Sequence, residues 1–132
     1  MDTSIASPCP TRVFLVEDSV PILERLTEML QEIDGVRIIG SADSAEAASA
    51  AILRERPDMV VLDLRLARGS GIDVLRSVHP AAPEIDFIVL TNFVIPQYRR
   101  ICLEAGASHF IDKSTQIGEV KQLIADRAAA RH

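Results

Sequence analysis

The sequence predicts an α/β fold in which helices cover both faces of a parallel β-sheet. Two observations indicate this fold class. Short apolar runs recur along the chain, and each is followed by a longer segment whose apolar residues recur at helical spacing. The clearest runs are continuous rather than alternating, as expected for strands that are buried on both faces. Strands and helices that alternate in this way form doubly wound sheets joined by right-handed crossovers.

The first part of the chain contains two predicted pairs of a strand and a helix. Residues 13–16 form the first strand, and Pro21 suits the first turn of the helix that follows. The apolar residues of this helix have helical spacing: Ile22, Leu23, Leu26, Met29, Leu30 and Ile33. Residues 36–40 form the second strand. An alanine-rich helix then begins at residues 43–44, where Asp or Ser can cap it, and ends near Arg56 because a proline follows.

The middle of the chain contains the third and fourth predicted strands. Residues 59–63 form a buried strand that ends on an acid. The Gly-Ser-Gly sequence at 69–71 then opens a short helix over residues 72–78. A proline-containing loop at 79–83 separates this helix from the fourth strand, which covers residues 85–90.

The last part of the chain contains the fifth predicted strand between two helices. A helix begins at Pro96 and continues to about Ala105, where Gly106 ends it. Residues 108–111 form the fifth strand, and Ser or Thr at positions 114–115 can cap a last helix that extends to about residue 130. No internal repeat or second domain is indicated.

The 132-residue chain has the size and composition of one globular domain, with 48% hydrophobic and 25% charged residues. We expect residues 1–11, which are polar and contain two prolines, to be a flexible leader, and residues 12–132 to form the domain. Cys9 and Cys102 are too few for a disulfide framework, so a reduced, cytoplasmic protein is expected.

The net charge and the lengths of the apolar runs argue against nucleic acid and membranes as partners. A net charge of −5 disfavours direct binding to nucleic acid or to an anionic membrane surface, since both require basic patches. No apolar run in the sequence approaches the roughly 18 residues that a membrane span needs. Binding to another protein is compatible with this charge.

Polar side chains that can bind a metal ion and a phosphoryl group follow four of the predicted strands. Glu17 and Asp18 follow the first strand and Asp63 ends the third, while Thr91 and Lys113 follow the fourth and fifth. Because ligands of parallel α/β sheets bind at the carboxyl ends of the strands, we expect these side chains to form one site. Clustered carboxylates repel one another unless a cation is present, and Mg²⁺ prefers oxygen ligands. An aspartate with such neighbours can act as a nucleophile toward phosphorus.

The ordered set of motifs resembles the receiver domains of response regulators, in particular stand-alone receivers of the chemotaxis-regulator type. The resemblance covers about residues 12–130. The matching segments are residues 13–19, 60–66, 69–71, 89–92 and 110–114. It implies a flavodoxin-like, doubly wound fold with five parallel strands in the order 2-1-3-4-5.

The resemblance also implies roles for the site residues. Asp63 is the expected phosphoacceptor, and Glu17, Asp18 and Asp63 are the expected Mg²⁺ ligands, together with the backbone carbonyl of Arg65. Lys113 is the expected partner of a phosphoryl oxygen. It is one of only two lysines among the 14 basic residues of the chain. These residues would make the chain a catalyst of its own phosphorylation rather than an enzyme that turns over a small molecule.

The same resemblance implies a conformational switch and partners. Thr91 is the expected switch hydroxyl and Phe110 the expected aromatic switch residue. A histidine kinase or a histidine phosphotransfer protein would supply the phosphoryl group. A downstream protein would bind the face formed by the fourth helix, the fifth strand and the last helix. The chain would be a monomer or a phosphorylation-dependent dimer.

Three other interpretations are open from the sequence. The chain can be an interaction module that works without phosphorylation, or the receiver part of a longer transcription factor. A small phosphatase with Asp63 as its nucleophile is a third interpretation. It is disfavoured because Arg65, rather than a second acid, follows two residues later.

Overall fold

Five strands alternate with five helices in the computed structural model, which describes residues 9–130. Residues 1–8 of the predicted leader therefore lie outside the described residues. The elements in chain order are β1 (Thr11–Val16), α1 (Val20–Gln31), β2 (Val36–Ala42), α2 (Ala45–Glu55), β3 (Met59–Leu62), α3 (Gly71–Val78), β4 (Asp86–Thr91), α4 (Pro96–Glu104), β5 (His109–Asp112) and α5 (Ile117–Ala130).

The five strands form one parallel sheet in the order β2-β1-β3-β4-β5, which confirms the predicted fold and strand order. Strands β1 and β3 end in register, since Val16 pairs with Leu62. Leu62 also pairs with Val89, and β4 continues two residues further to Thr91. At the last pair of strands, Thr91 is opposite Asp112. Because the strands are parallel, the carboxyl ends of β1, β3, β4 and β5 lie together at the same end of the sheet.

The two faces of the sheet are covered by different helices. One face packs against α2, α3 and α4, and its buried strand residues are Phe14, Val16, Val60, Leu62, Phe87, Val89 and Phe110. The other face packs against α1 and α5, and its buried strand residues are Val13, Leu15, Met59, Val61, Ile88, Leu90 and Ile111. Successive strand residues point to opposite faces, so a strand covered on both sides must be apolar throughout. This requirement explains the continuous apolar runs in the sequence.

Several element boundaries differ from the sequence predictions. Strand β1 begins at Thr11, which is fully buried and whose amide donates to the Gly35 carbonyl, one residue before the expected start of the domain. The Ser44 hydroxyl accepts a hydrogen bond from the Ala47 amide, so Ser44 rather than Asp43 caps α2.

Helix α5 begins later than predicted, at Ile117, so that Gln116 rather than Ser114 or Thr115 directly precedes it. The amide and hydroxyl of Ser114 both donate to the Asp112 carboxylate, at 2.9 and 2.7 Å. This local hydrogen bonding holds residues 113–115 in a turn, because an aspartate can bind the backbone and the hydroxyl two residues further on and so compete with a helix cap. Within residues 9–130, no helix combines the length and the apolar character that crossing a lipid bilayer requires.

Candidate functional site

Three carboxylates converge at the carboxyl ends of β1 and β3. One oxygen from each of Glu17, Asp18 and Asp63 lies within 4.8 Å of the others. Glu17 and Asp63 are buried, and Asp18 is exposed. The two strands are neighbours and end in register, so the acids that follow them must lie side by side. We call Glu17, Asp18 and Asp63 the acid cluster.

The ammonium group of Lys113 lies against the acid cluster. Its Nζ atom is 2.7 Å from Oδ2 of Asp63 and 2.8 Å from Oε1 of Glu17, and all three side chains are buried. Lys113 follows β5, and its amide donates to the carbonyl of Thr91 at the end of β4. The structure thus brings Asp63 into contact with side chains from distant parts of the sequence. Glu17 lies 46 residues before Asp63, and Lys113 lies 50 residues after it.

Burial and pairing set the electrostatics of this site. Burial raises the pKa of the Glu17 carboxyl, and hydrogen bonds from Lys113 and the Ser19 amide offset only part of that effect. Burial opposes the charged form of Lys113, but hydrogen bonds to Asp63 and Glu17 outweigh it, so the pKa of the ammonium is raised. Three carboxylates at −1 and one ammonium at +1 leave a formal charge of −2.

Both oxygens of the Asp63 carboxylate have hydrogen-bond partners. Oδ1 accepts from the amide of Leu64 at 2.7 Å, and Oδ2 accepts from Lys113. The backbone around Asp63 is held by Gly71 at the start of α3. A Cβ atom at Gly71 would lie 2.3 Å from the Asp63 carbonyl oxygen, so only glycine permits this close approach. The Gly71 amide also donates to the Leu64 carbonyl.

The remaining predicted residues lie around the acid cluster without forming part of it. Thr91 is fully buried at the end of β4, and its hydroxyl oxygen accepts from the amide of Phe93 at 3.2 Å. Phe110 is buried in β5 opposite Val89. The exposed guanidinium of Arg65 lies over the Phe93 ring, 4.7 Å from its centroid.

Ser19 has a role in the site that was not predicted from the sequence. Its amide donates to Oε2 of Glu17 at 3.0 Å, which orients the buried carboxylate toward Lys113. The donor is a backbone amide, which almost any residue at position 19 would supply, so the sequence carries no residue-type signal for this contact. The contact between Arg65 and Phe93 was also not predicted, because the two residues are 28 positions apart and no local sequence pattern connects them.

Comparisons with known proteins agree with this architecture. The chain matches the response regulator receiver domain over residues 13–125. The DNA-binding transcriptional activator DevR/DosR of Mycobacterium tuberculosis is 30% identical over 120 residues, which are 91% of this chain and 55% of that protein. The chain spans about half the length of the curated relatives it matches.

Solved structures of similar sequence show the same fold. A LuxR-family two-component response regulator from Aurantimonas sp. has a TM-score of 0.83 and 26% identity, over 93% of this chain and 88% of that one. CheY of Borrelia burgdorferi, solved as a complex with CheX, BeF₃ and Mg²⁺, has a TM-score of 0.81 and 27% identity, over 89% of each chain. The resemblance found in the motifs is confirmed: the chain belongs to the response regulator receiver domains of two-component signalling systems.

Proposed function

We propose that this receiver accepts a phosphoryl group on Asp63 from a phosphohistidine of a partner protein and then changes a protein-binding surface. The observation that carries the proposal is the buried Asp63 carboxylate, which contacts Lys113 and lies within 4.8 Å of the Glu17 and Asp18 oxygens. A nucleophilic carboxylate beside a fixed cation is suited to phosphoryl transfer, since catalysis of that reaction depends mainly on positioning and charge.

The acid cluster has the chemistry of a Mg²⁺ site. Its donor atoms are all oxygens, and its formal charge of −2 together with Lys113 matches a divalent cation. Glu17, Asp18 and Asp63, with the backbone carbonyl of Arg65, are the residues that would hold the ion. When bound, Mg²⁺ supplies positive charge that offsets the charge of a phosphoryl group. The Borrelia burgdorferi relative, solved with Mg²⁺ and BeF₃, supports the assignment.

Asp63 and Lys113 have the main roles in the phosphoryl transfer step. An oxygen of Asp63 attacks phosphorus, the phosphorus–nitrogen bond of the donor histidine breaks, and the histidine nitrogen keeps the electron pair. Lys113, which contacts Asp63 before transfer, then holds an oxygen of the transferred group. The product is the phosphorylated chain itself, so the receiver does not turn over a small-molecule substrate in this scheme.

Thr91 and Phe110 are the proposed switch. The Thr91 hydroxyl turns from the Phe93 amide toward a phosphoryl oxygen, and the ring of Phe110 on the adjacent strand fills the vacated space. The added negative charge favours one of two conformations of the face formed by α4, β5 and α5. A downstream protein would bind this face, either on a monomer or on a phosphorylation-dependent dimer, in the cytoplasm.

Phosphorylation by acetyl phosphate, with and without Mg²⁺, tests this proposal when the intact mass is measured. We expect a gain of one phosphoryl group only with Mg²⁺, and no gain in the Asp63→Asn variant. Asp34→Asn is a matched control because Asp34 is exposed in the turn before β2. No gain in the folded parent chain would reject the proposal and favour an interaction module that works without phosphorylation.

A further inference from the structure

A cavity of about 270 Å³ lies beside the acid cluster, and the proposed phosphoryl transfer does not use it. Its walls come from the loop between β3 and α3, the first turn of α3, the loop between β4 and α4, and α4 itself. The residues that matter for its chemistry are Arg65, Ile72, Phe93 and Tyr98. We call this the α3–α4 cavity.

One wall of the α3–α4 cavity is a stack of a cation and two aromatic rings. The Arg65 guanidinium lies 4.7 Å from the centroid of the Phe93 ring. The Tyr98 ring meets Phe93 edge-on, with centroids 6.4 Å apart and planes at 87°. Within residues 9–130, the Arg65 side chain has no ion pair or hydrogen bond. The stack holds the guanidinium in place and leaves its donors available.

The surface next to the cavity is apolar and positively charged. The segment between Phe93 and Tyr98 exposes Val94 and Ile95, at 46% and 43% of their surface. Arg99 and Arg100 follow on α4, are exposed, and form no ion pair in the described part of the chain. Exposed apolar groups beside unpaired cations, on a chain with a net charge of −5, mark a surface that complements an acidic and apolar partner.

We propose that the α3–α4 cavity binds a peptide segment of a partner protein that presents a carboxylate beside an aliphatic side chain. The carboxylate pairs with Arg65, whose planar guanidinium can donate two parallel hydrogen bonds. The aliphatic side chain enters the cavity between Ile72 and the aromatic rings. A small anion alone would leave those apolar walls uncovered, so the occupant must carry an apolar group beside its carboxylate.

Fluorescence provides a direct test, because Tyr98 is the only tyrosine and the chain has no tryptophan. The probes are two blocked peptides, Ser-Gly-Glu-Leu-Glu-Leu-Ser-Gly and the same peptide with lysine in place of both glutamates. The titration is made without Mg²⁺ or a phosphoryl donor. We expect a saturable change of Tyr98 emission with the acidic peptide, and binding at least about tenfold weaker with the basic peptide.

Two charge reversals make the test specific to the cavity. Arg65→Glu should weaken binding of the acidic peptide by at least about tenfold, since it replaces attraction with repulsion at the carboxylate. Arg37→Glu changes the net charge equally, but Arg37 is exposed on β2, the strand at the far edge of the sheet. It should bind like the parent, and circular dichroism verifies that both variants fold.

Three results would overturn the proposal: no saturable response to either peptide, equal binding of both peptides, or equal binding by the two variants. A fourth is a change of Tyr98 emission on dilution without peptide, together with dissociation of an oligomer, which would assign the cavity to a second copy of the chain. The titration requires no chemistry at Asp63. Its failure would therefore leave the proposed phosphorylation untouched, and failure of phosphorylation would leave this binding site untouched.

Discussion

The two lysines of this chain each pair with a glutamate, but in opposite surroundings. Lys113 and Glu17 are buried beside Asp63, whereas Lys121 and Glu32 form an exposed pair between α5 and the end of α1. The pKa of Glu17 is raised because burial outweighs its partner, and the pKa of Glu32 is lowered because the hydrogen bond from Lys121 dominates.

The difference shows that one type of ion pair can oppose or favour folding according to its burial. The buried pair must overcome the cost of removing charges from water, and an exposed pair has almost no such cost. Buried, excess negative charge at the carboxyl ends of the strands therefore makes the folded chain less stable than neutral side chains at the same positions would. This cost is consistent with the proposed binding of a cation and a phosphoryl group at this site.

Removing each lysine should give the largest contrast. We expect Lys113→Met to lower the free energy of unfolding by about 3 kcal/mol in the absence of divalent cations, because two carboxylates stay buried without their cation. Lys121→Met should have a much smaller effect, since its partner is solvated. Urea unfolding of the two variants measures the difference, and equal losses would contradict the comparison.

A glycine substitution should show how closely the backbone holds Asp63 beside Lys113. Gly71→Ala should cost about 1 to 3 kcal/mol, because the new Cβ atom would overlap the Asp63 carbonyl oxygen. Gly118→Ala is the matched control, since no atom lies within 4 Å of a Cβ atom at this position in α5. It should leave stability unchanged or raise it by up to about 1 kcal/mol. Thermal unfolding compares them, and a neutral Gly71→Ala would refute this packing argument.

The pH dependence of stability should differ in sign between the two glutamates, and this is the smallest expected effect. The folded-state pKa of Glu17 is raised, so the folded protein binds more protons and its stability falls as pH rises above about 4.5, the ordinary value. The pKa of Glu32 is lowered, so its contribution is present above that value and is lost as pH falls.

Glutamine variants separate these two contributions. In EDTA, Glu17→Gln should be more stable than the parent at pH 7, and this gain should disappear below pH 4.5. Glu32→Gln should instead be slightly less stable than the parent at pH 7, and the difference should vanish in acid. Unfolding curves at several pH values test both variants, and a pH dependence of the same sign in both would contradict the assignment.

Much of the fold could be predicted because its signals are local. The continuous run at 59–62 could be assigned to a buried strand, since it is short, follows a proline, and is apolar at every position as a strand covered on both faces requires. The start of α5 could not be predicted in the same way, because a helix cap and a turn at Ser114 were both compatible with the sequence. The turn forms because Ser114 donates two hydrogen bonds to the Asp112 carboxylate.

The α/β class and the acids that follow β1 and β3 could be read from the amino-acid order alone, because strand periodicity and strand ends are properties of short segments. The burial of Lys113 between Glu17 and Asp63 and the contact of Arg65 with Phe93 became known from the folded chain. Those contacts join residues that are far apart in the chain. They depend on sheet register and helix placement, which are set by the packing of the whole core.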